Sequence, residues 1–156
     1  MEPRFNLFAN ETAGKFVKRF ATAGRIIDDS TLPKPTQELV KIRASQINSC
    51  GHCLDGHTKD AALAGESPVR LAMVAAWRES TVFTAAERAA LALTEEGTRL
   101  ADAAPGISET TWSAVRTHYD EDQIGALISL IATINAWNRL NVIAGNTGGN
   151  YVPGQW

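Results

Sequence analysis

The sequence predicts an all-α fold, a single domain over residues 1–156 built from six or seven helices. Three observations lead there. Apolar residues recur at helical spacing wherever a segment is long enough to test, helix-start signals precede most of those segments, and no run alternates apolar and polar residues as a half-buried strand would. The connections between segments are short, as in helical bundles.

In Gly14 to Ile27 the residues Phe16, Phe20, Ala23 and Ile27 form one helical stripe, ended by Asp28, Asp29 and Ser30. Pro33 and Pro35 bound the start of a second helix, Thr36 to about Asn48, with Leu39 and Ile42 on its apolar side. Ser49 is the expected cap of a third helix from Cys50 to about Ala64, which Gly65 can stop in the left-handed conformation. Ser67 and Pro68 then open the helix of SPVRLAMVAAWR. Thr84 with Glu87 forms a capping-box pattern ahead of AALALTEEGTRLA, and Ser108 starts a shorter helix to about His118. Asp120 with Gln123 repeats that pattern before the longest helix, Ile124 to about Ala144. The tail, residues 144–156, has two readings: its glycines suit a disordered end, whereas Tyr151, Val152 and Trp156 suit an arm docked on a neighbouring subunit.

Composition narrows the function. Apolar residues make up 44% and charged residues 21% of the chain, as in ordinary globular domains. With 15 basic and 17 acidic side chains the net charge is -2, which argues against nucleic acid as a partner. No apolar run approaches the roughly 18 to 20 residues of a membrane span, and the amino terminus has no secretory pattern. A cytoplasmic location is expected. Nucleotide-binding glycine motifs and the G-x-S-x-G pattern are missing from the sequence.

The informative stretch is Glu38 to His57, ELVKIRASQINSCGHCLDGH. On a helix starting at Ser49, Cys50, Cys53 and His57 fall at i, i+3 and i+7, on one face within two turns. The first turn of a helix favours a thiolate, most of all at Cys50. His57, one turn beyond Cys53, can accept a cysteine proton. Glu38, on the preceding helix, can orient the imidazole if the two helices pack antiparallel. His52 points to another face and can contact substrate or tune Cys50. A disulfide closing only this short loop would stabilise little, so chemistry is the better reason for the pair. Two other readings stay open at this point: buried structural cysteines, and a zinc site drawing on Cys50, Cys53, His57 and either His52 or Glu38, although a structural zinc site normally needs a second knuckle.

Glu38, Cys50, His52, Cys53 and His57, in this order and spacing, resemble the active-site motif of the alkylhydroperoxidase D (AhpD) family, within the wider carboxymuconolactone decarboxylase superfamily. KIRASQIN, CLDGHTKDA, AAWRES, ERAALALTE and INAWNRLNV extend the likeness from about Arg4 to Val142. The resemblance implies an all-helical subunit that forms trimers or hexamers and a peroxidase with no bound cofactor. It implies that Cys53 attacks the peroxide and Cys50 resolves, whereas the helix-start argument favours Cys50 as the more acidic thiol. It further implies an external dithiol reductant, either a lipoyl-bearing protein or a thioredoxin-like one. The alternatives are a lactone decarboxylase of the superfamily's other branch and a non-catalytic or zinc-stabilised oligomerisation module.

Outside the motif, Trp77 with Arg78 and Trp137 with Arg139 are either pocket-lining or core. Asn135 and Asn138, three apart in an apolar helix, are expected to satisfy buried polar groups. Arg43 and Ser45 face either the site or a neighbouring helix.

Overall fold

The computed structural model describes residues 2–102 and 106–155. Its elements are α1 (Glu11–Asp28), α2 (Lys34–Ile47), α3 (Gly51–Leu63), α4 (Pro68–Met73), a 3₁₀ helix (Val74–Glu79), α5 (Ala85–Thr98), α6 (Glu109–His118) and α7 (Glu121–Ala144). Among the described residues the chain is all-α, as predicted, with seven α-helices.

Local chemistry sets most boundaries. Thr84 and Glu87 form a complete capping box at α5, and Asp120 and Gln123 form another at α7, so each helix start satisfies two backbone N–H groups reciprocally. The Ser108 side chain accepts from the Thr111 N–H at α6. Gly65 and Gly145 take left-handed φ values of 92° and 76°, closing α3 and α7. At both ends the two following N–H groups turn back to the last turn, a Schellman arrangement.

Three expectations need correction. The first helix starts at Glu11 on an Asn10 cap, and of its predicted stripe only Ile27 is buried: Gly14 and Val17 make up the rest of the buried face while Phe16 is 54% exposed. Phe16 stacks on Phe20, which in turn packs on Trp137, so the aromatic stripe lies along the margin of α7. The single helix expected over SPVRLAMVAAWR breaks into α4 and the 3₁₀ helix, with non-helical dihedrals at Ala76. Trp77 is anchored there: it is buried, and its Nε1 donates to Glu95 at 2.8 Å. It is a core residue.

The third correction concerns the α2–α3 junction. Ser49 does not cap α3; it adopts φ 54° and is the left-handed residue that ends α2. Ser49 N–H donates to the Gln46 carbonyl and Cys50 N–H to the Ser45 carbonyl, so the Schellman motif that terminates α2 runs directly into α3. Cys50 is both the last residue of that motif and the N-cap of α3. With no loop between the two helices, Cys50 turns into the core while Ser49 and Gly51 on either side of it are exposed.

Helix α2 is the central element, packed against α3, α5 and α7. One side contributes Val40 to a core with Leu32, Leu93, Val115, Leu127 and Leu130. The other contributes Leu39 and Ile42 to a core with Val74, Trp77, Phe83 and Leu91. A third, small cluster contains Ala44, Ile134 and the two cysteines. Helix α7 is long and apolar enough to cross a membrane by length and composition, the one such helix among the described residues. Its place against α1, α2, α3 and α5 covers part of that apolar surface, while Ile128, Val142 and Ile143 stay exposed.

Leu127 is fully buried where α7 meets α2, α5 and α6. Leu127→Ala is expected to destabilise the fold by about 2–5 kcal/mol through lost burial and a residual cavity, read as a lower urea midpoint at unchanged slope.

Candidate functional site

Cys50 and Cys53 form a disulfide with Cα atoms 5.5 Å apart. The N-cap and third helical position of α3 bring the two sulfurs within bonding reach, and both residues are almost fully buried, at 1% and 2% exposure. Cys50 Sγ accepts the Cys53 backbone N–H at 3.4 Å, the hydrogen bond an N-cap side chain normally takes. That donor favours the thiolate of Cys50 once the pair is reduced. Cys53 Sγ has a donor of its own in Asn141 Nδ2 at 3.5 Å, from α7.

The structure also joins Glu38 to His57. Antiparallel packing of α2 on α3 brings Glu38 Oε2 to 3.1 Å from His57 Nδ1. Lys41, one turn along α2, donates to Glu38 Oε1 at 3.0 Å and lies 3.4 Å from Asp28. Burial pushes the Glu38 carboxyl up, but the hydrogen bond and charge of His57, with Lys41 adding to them, outweigh burial and hold it at about 2. Glu38 is therefore an anion at neutral pH. An anionic carboxylate fixes the proton of a neutral His57 on Nδ1 and leaves Nε2 as the acceptor nitrogen. His52 occupies the second position of α3, turned roughly 100° about the axis from Cys53; it is half-buried. Among the described residues no group of three or more His, Cys, Asp or Glu side chains is placed to hold a metal.

A polar ladder on α7 holds this site from the other side. Asn135, Asn138 and Asn141 are all buried and one helical turn apart. Asn48, the last residue of the α2 cap, donates to Asn135 Oδ1 at 2.8 Å and to Asn138 Oδ1 at 2.9 Å. Asn138 Nδ2 donates to Ser45 Oγ at 3.0 Å. The expectation that Asn135 and Asn138 satisfy buried polar groups holds, and Ser45 is interhelical. Arg43 is interhelical too, pairing with Glu95 on α5 at 2.7 Å. Asn141 was missed by the sequence reading, although its spacing of three from Asn138 was the available signal.

The tail docks on its own chain, contrary to both sequence expectations. Asp55 on α3 accepts the N–H groups of Gly149 at 2.6 Å and Tyr151 at 3.0 Å, and Asp60 accepts the Tyr151 hydroxyl at 2.8 Å. A hydrogen bond from Lys59 and the backbone N–H donors of the tail hold the Asp55 carboxyl at about 2. Gly148 passes so close to the Gly51 carbonyl that a β-carbon there would overlap it. Trp156 lies outside the described residues.

A groove of about 440 Å³ runs between α2, α3, α4 and α5. Glu38 stands in its wall, Leu39, Ile42, Ala61 and Leu71 form its apolar surface, and neither cysteine lines it. Arg70 at its rim is neutralised by Glu66 at 2.8 Å and Glu87 at 2.5 Å.

The depressed Glu38 carboxyl carries a pH prediction. Its stabilising contribution is complete above the unfolded value of about 4.5 and is lost as pH falls towards 2. Glu38→Gln should therefore be less stable than the wild type at neutral pH, and the gap should close across that acid window in pH-resolved denaturant titrations. A gap independent of pH would show that the carboxylate charge is not what stabilises the pair.

The comparisons with known proteins agree with this geometry. A family model described as the carboxymuconolactone decarboxylase family matches residues 12–96, from α1 through the cysteine pair into α5. An uncharacterized Bacillus subtilis protein, YdfG, is 36% identical over 136 residues, covering 87% of this chain and 91% of its own. A crystal structure from Agrobacterium tumefaciens, of a protein of unknown function and candidate antioxidant defence protein AhpD, superposes with a TM-score of 0.86 at 29% identity, over 96% of this chain and all of that one. The alkylhydroperoxidase AhpD core of a peroxidase-related protein from Ralstonia eutropha shares the fold, with a TM-score of 0.73 at 20% identity over 95% of this chain and 77% of that one. With its cysteine pair in disulfide geometry on an AhpD-like fold, the chain belongs to the carboxymuconolactone decarboxylase family.

Proposed function

We propose that the protein is a thiol-dependent peroxidase that cycles Cys50 and Cys53 between dithiol and disulfide, with Glu38 and His57 as its proton relay. The observation that carries this reading is the disulfide at the start of α3 with an imidazole one turn further along the same helix, paired with the Glu38 carboxylate of α2. Names of structural neighbours that refer to peroxidases and antioxidant defence support it.

In the first step the Cys53 thiolate attacks one peroxide oxygen. An S–O bond forms, the O–O bond breaks, and the departing oxygen takes a proton delivered through His57, leaving an alcohol or water. Cys53 is now a sulfenic acid, oxidised by two electrons. The Cys50 sulfur then attacks it, an S–S bond forms, and the hydroxyl leaves as water with the proton given up by Cys50. Two thiol–disulfide exchanges with an external dithiol, from a lipoyl-bearing or thioredoxin-like protein, restore both thiols and oxidise the donor. Glu38, held anionic, keeps the imidazole in the tautomer that can pass the proton. His52, beside the cysteines, is assigned to substrate contact. No bound cofactor is needed, and the cytoplasm is the compartment in which such a donor keeps the pair reduced.

Assembly into a trimer or hexamer is part of the proposal. Phe8, Phe16, Ile128, Val142 and Ile143 are exposed apolar side chains on or beside α1 and α7, the kind of surface a homo-oligomer covers.

Titrating thiols before and after one equivalent of peroxide tests the redox reading: two thiols should disappear for each peroxide consumed. Cys53→Ser should abolish consumption, while Cys50→Ser should consume one equivalent and stop at a sulfenic acid that a dimedone probe traps. Two thiols that persist with the peroxide intact would sink the proposal. Lactone decarboxylation surviving in the double Cys→Ser variant would favour the activity for which the family is named.

A further inference from the structure

The geometry points to Asn141 as the group that stabilises the Cys53 thiolate, acting as a fixed amide donor delivered from α7. This inference rests on Cys53 being the attacking sulfur. The need for a donor follows from burial, because a thiolate almost fully removed from water and packed with Ala44 and Ile134 is disfavoured unless hydrogen bonds replace its solvation. Cys53 also lies at the third position of α3, and its own backbone N–H is spent on Cys50.

The orientation of the Asn141 amide is set by its neighbours. Asn146 Nδ2 donates to Asn141 Oδ1 at 2.8 Å, and Asn146 N–H donates to the Asn141 backbone carbonyl at 2.9 Å. With its oxygen engaged as an acceptor, Asn141 presents Nδ2 to the sulfur at 3.5 Å and to the Trp137 carbonyl at 3.0 Å. A reversed amide would set two oxygens against each other at Trp137 and two donors against each other at Asn146. Asn146 is itself placed by the left-handed turn at Gly145, where the Arg4 backbone and side chain pack close. The closure of α7 therefore aims a donor at a sulfur 88 residues earlier in the sequence.

Several titratable or charged groups lie on the elements around Cys53. Helix α3 contributes Cys50, His52 and His57, and its Asp55 and Lys59 are engaged by the tail. Helix α2 contributes Glu38 with Lys41, and Arg43, which is tied to Glu95. On α7 the charged residue of this stretch is Arg139, which donates to the Asn135 carbonyl. Asn141 differs from all of these in being neutral at every pH, so its effect on Cys53 is a constant offset of the thiol midpoint.

The test isolates Cys53 in a Cys50→Ser background, where serine retains the N-cap function. The thiolate midpoint is read from ultraviolet absorbance and from the pH dependence of iodoacetamide alkylation. Asn141→Ala should raise that midpoint by roughly one unit, Asn141→Asp should raise it further by adding negative charge, and Asn146→Ala should raise it less by freeing the amide. Thermal unfolding of each variant is followed in parallel. An unchanged or lowered midpoint in folded Asn141→Ala overturns the inference; if that variant does not fold, an unchanged midpoint in Asn146→Ala does so. The readout is independent of turnover. A chain whose midpoint shifts as described but which consumes no peroxide would refute the peroxidase reading and leave the role of Asn141 standing.

Discussion

The turn between α2 and α3 is the constraint on which the rest of the structure depends. It has no loop: the residues that end α2 begin α3, and Cys50 serves both helices. It leaves the Ser45 hydroxyl in the interior and the Asn48 amide at its edge, where a buried polar group without a partner costs on the order of 1–3 kcal/mol. Helix α7 answers this with Asn135 and Asn138, which receive the Asn48 amide, and with the donation of Asn138 to Ser45. The buried polar residues of α7 thus lie on the face that meets this turn, while Ser129 and Arg139 stand exposed elsewhere on the helix.

The same constraint shapes the chemistry. Because the turn is tight, the cysteine at its end and the one a turn later lie against each other, and both are buried although Ser49 and Gly51 beside them are exposed. In the proposed cycle a buried redox pair needs internal donors for its charge and an internal route for its proton. The proposal takes the first from the Cys53 N–H and the Asn141 amide and begins the second at the Glu38–His57 pair, whose carboxylate His57 and Lys41 keep ionised. The chain supplies both from helices that would in any case pack at this point.

The tail adds a layer that is local in space and remote in sequence. Asp55 and Asp60 lie five residues apart on α3 and take up the N–H groups and hydroxyl of residues 149–154, tying the end of the chain across the helix that carries the cysteines. Gly148 is required by the close pass over Gly51, where any side chain would overlap backbone. A tail read from composition alone is merely glycine-rich; its order comes from two carboxylates that look like ordinary surface charges until the tail is laid on them.

By itself the sequence determined the fold class, the two capping boxes, the Ser108 cap, the glycine stop at Gly65, and the pairing of cysteines at helical spacing, because each of these is decided within a few residues of backbone. It also carried the five-residue motif from Glu38 to His57, within which helix periodicity puts Cys50, Cys53 and His57 on one face of α3. Only the tertiary structure decided that Ser49 is a left-handed terminator and not a cap, that α1 turns its aromatic stripe away from the core, that the tail closes on its own chain, and that Asn141 reaches Cys53. In each case the deciding partner is remote in sequence or on another element: α3 following α2 without a loop, the side of α1 that α7 leaves uncovered, the carboxylates of α3, and the Asn146 grip that aims an amide across the core. Short-range propensity has no access to such partners, because their positions exist only once the helices have packed.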